Sequence, residues 1–567
     1  MVQNLYHFIV VSDFLKRGYL MKQSQIFMMM DDENLCSEGY TVDDLLIQGC
    51  FLRPYGDGIY AYLPLGLKLM NKIVTVIREE MEQLQAVEVE TPILQEVKCL
   101  KKLGIHTTGA DTYQLTDRYS ERYIVGGLHE EMVVATMLEN FPKLELPPSL
   151  FYQITTYLKD YEKSEQKMIY SKERKCFEAY FFHNHQESFL NNYEQLKNTM
   201  STLFTKLHVK QFPVVTYGHH GLIQPYHFIA EATDGEMDIA SGTVGDFSAL
   251  LEEAPTHVNY PVSDEVLLPI ETFEMEAQKA TFMQQSNYIR TLLFKIDEQY
   301  VVTLCRGDYE VNSTKLKHVL QANELAMASP EEVLKVFTAH EPYIGPRQLP
   351  IGLTIIADYS VTSIVNGITG ANVDGIFFKN VNPERDFAIT KYADIRKIVE
   401  GEEAPGQAGV VQFLKGHDIA RIERKFIKQN DSEPIVGTAC IDLTTLFVVL
   451  AEQHSDKAGF CWPKSLAPYD VHILVENSTD QSQLAIANSV VHLLKSYRYE
   501  VLLDDREATI EKKQKEADFI GIPIQLVIGD EISDNVLNVK FRKTGEEVAW
   551  QLEEVTEKLQ AYFLMSE

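Results

Sequence analysis

Two close histidine pairs, His183-Asn184-His185 and His219-His220, are spaced as metal ligands can be. Zinc chemistry would also need a carboxylate or thiolate recurring at a matching spacing. None recurs, so these imidazoles read as loop or surface residues, and no structural metal is expected. The seven cysteines (Cys36, Cys50, Cys99, Cys176, Cys305, Cys440 and Cys461) are scattered without a CxxC spacing. They imply neither a disulfide framework nor a zinc ribbon, and they fit a reducing cytoplasm. Phosphate chemistry has two cationic candidates, Lys512-Lys513-x-Lys515 and Lys540-x-Arg542-Lys543. Either run could contact RNA phosphates, and either suits a solvated helix face or strand end. Gly-rich loops of the P-loop or dinucleotide type are absent.

These side chains sit in an acidic chain of 567 residues, with 52 Lys+Arg against 82 Asp+Glu and a net charge of −30. At roughly 100–200 residues per domain, that length implies three or four domains. The charge excludes an indiscriminate polyanion binder, which needs a broad basic surface, but leaves room for local basic patches. From Asp470 onward there are 10 Lys+Arg and 19 Asp+Glu, so the end of the chain hides no basic module. No apolar run approaches the roughly 18 residues that span a bilayer, so no membrane partner is expected. Residues 1–20 lack a basic n-region and a small-residue cleavage site and read as an extension before a start at Met21, not as a signal peptide.

Periodicity supplies the elements that must position any site. Leu67, Met70, Ile73, Val74, Ile77 and Met81 recur every three or four residues and predict a helix over 64–86. A second helix is predicted over 186–208, with Phe189, Leu190, Tyr193, Leu196, Met200, Leu203 and Leu207 on one face. The alternating segment from Val87 to Pro92 reads as a strand entering a turn. Acidic residues with Pro255, Pro261 and Pro269 mark a boundary near 250–285, and Gly, Glu and Pro mark another over 399–409. Between them, 291–294 and 300–305 read as a strand pair around Asp297-Glu298, followed by helices over 313–322 and 330–338. After residue 470, strands over 470–475, 500–503 and 524–528 alternate with helices over 481–497 and 510–520. That rhythm predicts a small α/β domain with a parallel component.

The segment Gly58-Ile59-Tyr60-Ala61-Tyr62-Leu63-Pro64-Leu65-Gly66 closely resembles the entry segment of bacterial-type prolyl-tRNA synthetases. The match continues, in order, through Met21-Lys22-Gln23-Ser24, Arg78-Glu79-Glu80-Met81, His129-Glu130-Glu131 and Gly370-Ala371-Asn372-Val373-Asp374-Gly375. Near the end it includes Trp462-Pro463, Ala467-Pro468-Tyr469, Asp504-Asp505-Arg506 and Ala517-Asp518-Phe519-Ile520-Gly521-Ile522-Pro523. The resemblance implies an α+β class II catalytic domain on an antiparallel sheet, at 21–250 and 400–469. It implies an α/β editing-like insertion at 251–399 and an α/β anticodon-binding domain at 470–567. It further implies ATP and Mg2+, proline and a proline-type tRNA as partners, and a homodimer through the region of Pro92.

Site residues follow from the same resemblance, and several depart from the family pattern. The motif 2 stretch Phe-Arg-x-Glu falls on Leu158-Lys159-Asp160-Tyr161, so Lys159 keeps the charge but loses the planar fork. Motif 3, Gly-x-Gly-x-x-Arg, falls on Cys440-Ile441-Asp442-Leu443-Thr444-Thr445. Both glycines and the arginine are gone, and Asp442 adds negative charge. The proline-pocket Thr-His-Glu falls on Leu128-His129-Glu130, where Glu130 could still hold an ammonium group. The run Arg-Gly-Arg-Glu-Phe falls on Tyr170-Ser171-Lys172-Glu173-Arg174. In the editing-like insertion, the family Lys corresponds to Arg290 and the family His to Phe377, with Gly345-Pro346 retained.

Three functions compete on these residues. The first is ligation of proline to tRNA through prolyl-adenylate, impaired or lost because guanidinium contacts to phosphate are replaced. The second is a non-catalytic tRNA- or amino-acid-binding regulator on the same scaffold. The third is a stand-alone tRNA deacylase, which Phe377 disfavours because it cannot exchange a proton.

Overall fold

Pro64 opens the helix Pro64–Gln83 at a position where its missing N–H costs nothing. The helix buries Leu65, Leu69, Met70, Ile73, Val74, Ile77 and Met81, whereas Leu67 is 46% exposed. Gly66 is required on that face, because a Cβ there would lie 2.2 Å from the Phe51 carbonyl oxygen. The computed structural model describes residues 21–566 except 27, 29, 31–38, 103–111, 128–129, 131, 135–148, 161–166, 218–223, 257–258, 262–264, 277–280, 298, 351 and 426–434. Leu128, His129, Tyr161, His219, His220 and the expected extension over 1–20 lie outside the described residues.

The chain forms two compact units, Met1–Lys210 with Ile419–Glu567, and Gln211–Asp418. In the first, the strand Val87–Glu88 runs parallel to Ser149–Leu158, which pairs antiparallel with Glu173–His183. That strand pairs antiparallel with Ile435–Asp442, which in turn pairs with residues 420–425. The helix Leu443–Gln453 follows directly, nearly every side chain buried, while Gln186–Lys206 buries Phe189, Tyr193, Leu196, Met200 and Leu203. Both helices contact the strand Glu173–His183.

The end of the chain builds a five-stranded sheet. Val501–Asp504, Val471–Val475 and Ile524–Ile528 are parallel, and Val536–Phe541 and Glu547–Gln551 add antiparallel strands. The central strands are buried on both faces, so they read as continuous apolar runs. The helices Gln481–Ser496 and Ile510–Ile520 lie close to the expected ranges.

In the second unit, Met237–Gly242 pairs antiparallel with Ser248–Leu250 and with residues 411–416. The expected pair around Asp297 is Ile289–Ile296 and Gln299–Arg306, antiparallel, joined in one sheet by Thr354–Asp358. Glu271–Glu274, Ile376–Val381 and Gly367–Gly370 form a separate three-stranded sheet. Among the described residues, no helix is long and apolar enough to cross a membrane.

Candidate active site

Strand register decides which side chains meet. Tyr157 lies opposite Arg174, Thr155 and Asp442 lie opposite Cys176, and Gln153 and Cys440 lie opposite Glu178. Because strand side chains alternate, these residues share one face of the sheet, with Arg421 opposite Cys440 continuing it.

At the end of this face Asp442 caps the helix Leu443–Gln453, its Oδ1 accepting from the Thr445 backbone N–H at 2.9 Å. The Oδ2 accepts from the Arg174 guanidinium at 2.5 Å and from the Tyr157 hydroxyl at 3.1 Å. The same guanidinium donates to Thr445 Oγ1 at 2.6 Å and to the Ile169 carbonyl. Arg174 is 4% exposed, so its cation is desolvated and neutralised by Asp442. The backbone N–H of Lys175 donates to Thr444 Oγ1 at 2.9 Å, tying the strand Glu173–His183 to the first turn of the helix Leu443–Gln453. Burial pushes the Tyr62 phenol well above its ordinary value, against a hydrogen bond to Thr444. Lys159 stands at the end of its strand, half-buried, its backbone N–H bonded to the Lys172 carbonyl at 2.9 Å.

Glu130 is occupied by the chain's own cations. Lys425 Nζ lies 2.9 Å from Glu130 and 3.0 Å from Glu423, and Arg421 lies 3.8 Å and 3.3 Å from the same two carboxylates. Burial works to lower the Lys425 ammonium, but Glu130 and Glu423 outweigh it and hold it above its ordinary value. Behind this pair, burial raises the Glu178 carboxyl, although Tyr180 and Gln153 donate to it at 2.5 and 2.8 Å. Sequence reasoning gave Arg174 no role and missed Tyr157, Glu178, Arg421, Glu423 and Lys425. Alternation would have placed Arg174, Cys176 and Glu178 on one face, but only cross-strand register brings Asp442 and Arg421 to it.

In the editing-like region Phe377 is fully buried. Its ring lies 5.7 Å from Phe273, 5.1 Å from Phe282 and 5.2 Å from Tyr343, with Tyr288 and Ile368 in the same cluster. Arg290 turns to the main chain, donating to the Gly307 carbonyl at 2.7 Å and to Met283 at 3.4 Å. Gly345 donates to Asn372 at 2.7 Å, and a Cβ on it would lie 2.0 Å from the Gly370 oxygen. Pro346 beside it is buried.

The anticodon-domain residues are also engaged internally. Arg506 pairs with Asp504 and Glu516 at 2.6 Å each, and Asp505 takes Lys22 at 3.3 Å and the Ser24 backbone N–H at 3.2 Å. The Met21 carbonyl accepts from Leu503, so the segment around Lys22 extends the edge of that sheet. In the basic runs, Lys513 is buried on the Val475 carbonyl, Lys540 pairs with Asp518 and Arg542 with Asp456. His183 bonds Ser188 at 2.9 Å, with its basicity lowered by burial. Among the described residues no cluster of three or more His, Cys, Asp or Glu side chains could hold a metal ion.

Two family models match the chain, an aminoacyl-tRNA editing domain over residues 269–387 and an anticodon binding domain over 470–562. A proline–tRNA ligase of Lysinibacillus sphaericus is 34% identical over 565 residues, covering 96% of this chain and all of that protein. A proline–tRNA ligase of Bacillus cereus is 32% identical over 557 residues, covering 94% of this chain and 98% of that one. Among solved structures, the prolyl-tRNA synthetase of Cryptosporidium parvum with halofuginone and AMPPNP superposes at a TM-score of 0.52. It is 11% identical, over 92% of this chain and 77% of that one. The same protein with L-proline and AMP gives 0.50 at 12% identity, over 93% and 75%. At that identity the likeness concerns the fold, which is the class II synthetase architecture with editing-like and anticodon-binding domains.

Proposed function

The chain belongs to the prolyl-tRNA synthetase family, and from that premise we propose that it is a synthetase homologue in which activation of proline is impaired. The family reaction joins a proline carboxylate oxygen to the α-phosphorus of ATP as pyrophosphate leaves, and the prolyl group then passes to tRNA as AMP departs. Charge building on the phosphates must be met by positioned cations. The observation that carries this reading is the Arg174–Asp442–Thr445 contact, which puts a neutralised guanidinium and a carboxylate at the motif 3 position. Lys159 is the one motif 2 cation, without a bidentate fork. Two lost charge-assisted contacts at about 1.5–3 kcal/mol each slow activation by roughly two to four powers of ten. The Glu130–Lys425 pair adds a second obstacle, since an incoming amine must displace a cation already seated there.

ATP with Mg2+, proline and a proline-type tRNA are the ligands this reading assigns, in a cytoplasmic homodimer. A Mg2+ ion would arrive carried on the triphosphate and would offset phosphate charge. The described carboxylates of this face do not fit it as ligands, because Asp442 is committed to Arg174 and Tyr157, Glu178 to Tyr180 and Gln153, and Glu423 to Lys425 and Arg421. Domain limits of 21–250 with 400–469, 251–399 and 470–567 accompany the proposal. A stand-alone deacylase is disfavoured by the aromatic cluster that encloses Phe377.

Attachment of labelled proline to bacterial tRNA by the full chain tests the reading. Charging below about 1% of the Lysinibacillus relative's rate is expected, and charging at a comparable rate overturns the proposal. If charging is absent, filter binding of tRNA against salt separates an RNA-binding regulator, whose affinity falls steeply with salt, from a tRNA-independent one.

A further inference from the structure

The guanidinium that the motif 3 position lacks is present 2.6 Å from Thr445 Oγ1, delivered from another strand by Arg174. By resemblance the family has Phe at 174, Gly at 442 and Arg at 445. Three substitutions in one contact therefore keep one guanidinium at this spot and add one carboxylate. We propose that Arg174 is this chain's nucleotide-site guanidinium and that Asp442 withholds it from phosphate, an inference that rests on the reading of this face as a nucleotide site.

Packing needs do not explain the arrangement. Desolvating a guanidinium and a carboxylate is expensive, and an apolar pair of similar volume serves a fold as well or better. Arg174 is almost wholly buried, whereas the Asp442 side chain keeps 21% of its surface exposed, so the carboxylate is the open side of the pair. Its two oxygens have separate tasks, Oδ1 capping the helix and Oδ2 holding Arg174 and Tyr157. A phosphate approaching the guanidinium meets Asp442 first and is repelled.

That division of labour makes the proposal testable. Asp442→Asn keeps an oxygen for the helix cap, and Asn caps as well as Asp, while the charge that restrains Arg174 is removed. Binding of ATP with Mg2+ to the full chain is measured by calorimetry for wild type, Asp442→Asn, and Asp442→Asn with Arg174→Met. Asp442→Asn is expected to tighten binding about 10- to 100-fold, the worth of one charge-assisted contact, and Arg174→Met to cancel the gain. If the double variant does not fold, Asp442→Asn with Arg174→Lys replaces it and should keep only part of the gain, because lysine lacks the fork. No gain in Asp442→Asn, or a full gain without the guanidinium, overturns the proposal. Efficient proline charging by wild type would instead overturn the reading of impaired activation, so the two failures are distinguishable.

Discussion

Asp43 offers a sign-definite test of how the helix Val42–Gln48 is held to the turn at Met168–Tyr170. This carboxylate lies in the first turn of the helix Val42–Gln48, is 7% exposed, and accepts from the Met168 backbone N–H at 3.0 Å. Burial pushes its pKa up from 3.8 to about 6, against that hydrogen bond. A carboxyl raised on folding favours the folded state while protonated, so its contribution is present below about pH 4 and lost as pH rises through about 6. At about 1.4 kcal/mol per pKa unit the full loss is about 3 kcal/mol, of which about 2 kcal/mol falls between pH 4.5 and 7.5. Asp43→Asn keeps the acceptor for Met168 without the charge. Hydrogen exchange of the segments 42–48 and 168–170 in wild type and variant, compared at each pH, cancels the intrinsic pH dependence of exchange. The variant should gain protection over wild type as pH rises from 4.5 to 7.5. A constant difference between the two proteins would refute the reasoning.

Arg174→Met should destabilise its unit by about 3 kcal/mol, because it strands Asp442 beside Tyr157 and removes the bond to the Ile169 carbonyl; a double-mutant cycle with Asp442→Asn in urea unfolding should return a coupling above about 1 kcal/mol, and additivity would contradict the pairing. Phe377→Ala should cost about 3–5 kcal/mol by opening a cavity among Phe273, Phe282 and Tyr343. Thermal unfolding of the second unit measures it, and a shift near zero would show that the cluster is not packed. Lys425→Met should strengthen proline binding by releasing Glu130. A proline titration by calorimetry checks this, and unchanged or weaker binding counts against Glu130 as the amine receptor.

Elements were legible where one period ran unbroken. Pro64–Gln83 and Ile510–Ile520 lie close to their expected ranges because apolar spacing agrees with the start signals, Pro64 in the first turn of one and the Thr509 cap of the other. The expected strand from Val87 narrows to Val87–Glu88, since Pro92 follows too soon for a longer ladder. Single positions were harder. Leu67 and Leu190 have the right spacing yet stand 46% and 40% exposed, because a helix buries only the arc its neighbours cover. The resemblance located Lys159, Glu130, Asp442 and Thr445 along the chain but said nothing of their partners. Arg174 and Asp442 are 268 residues apart, and no local spacing encodes that pair. Lys425 likewise reaches Glu130 only through the strand that carries it. The sequence showed residue 377 as a Phe where the resemblance implies a His, whereas the aromatic shell around it needed tertiary structure.

On the proposed reading, amino-acid activation is weakened at the Arg174–Asp442–Thr445 contact. Proline-dependent exchange of pyrophosphate into ATP measures that step without tRNA, with the full chain assayed beside the Lysinibacillus sphaericus relative. Exchange at least about 100-fold slower than the relative's is the expected result. Equal exchange in the two proteins would contradict it.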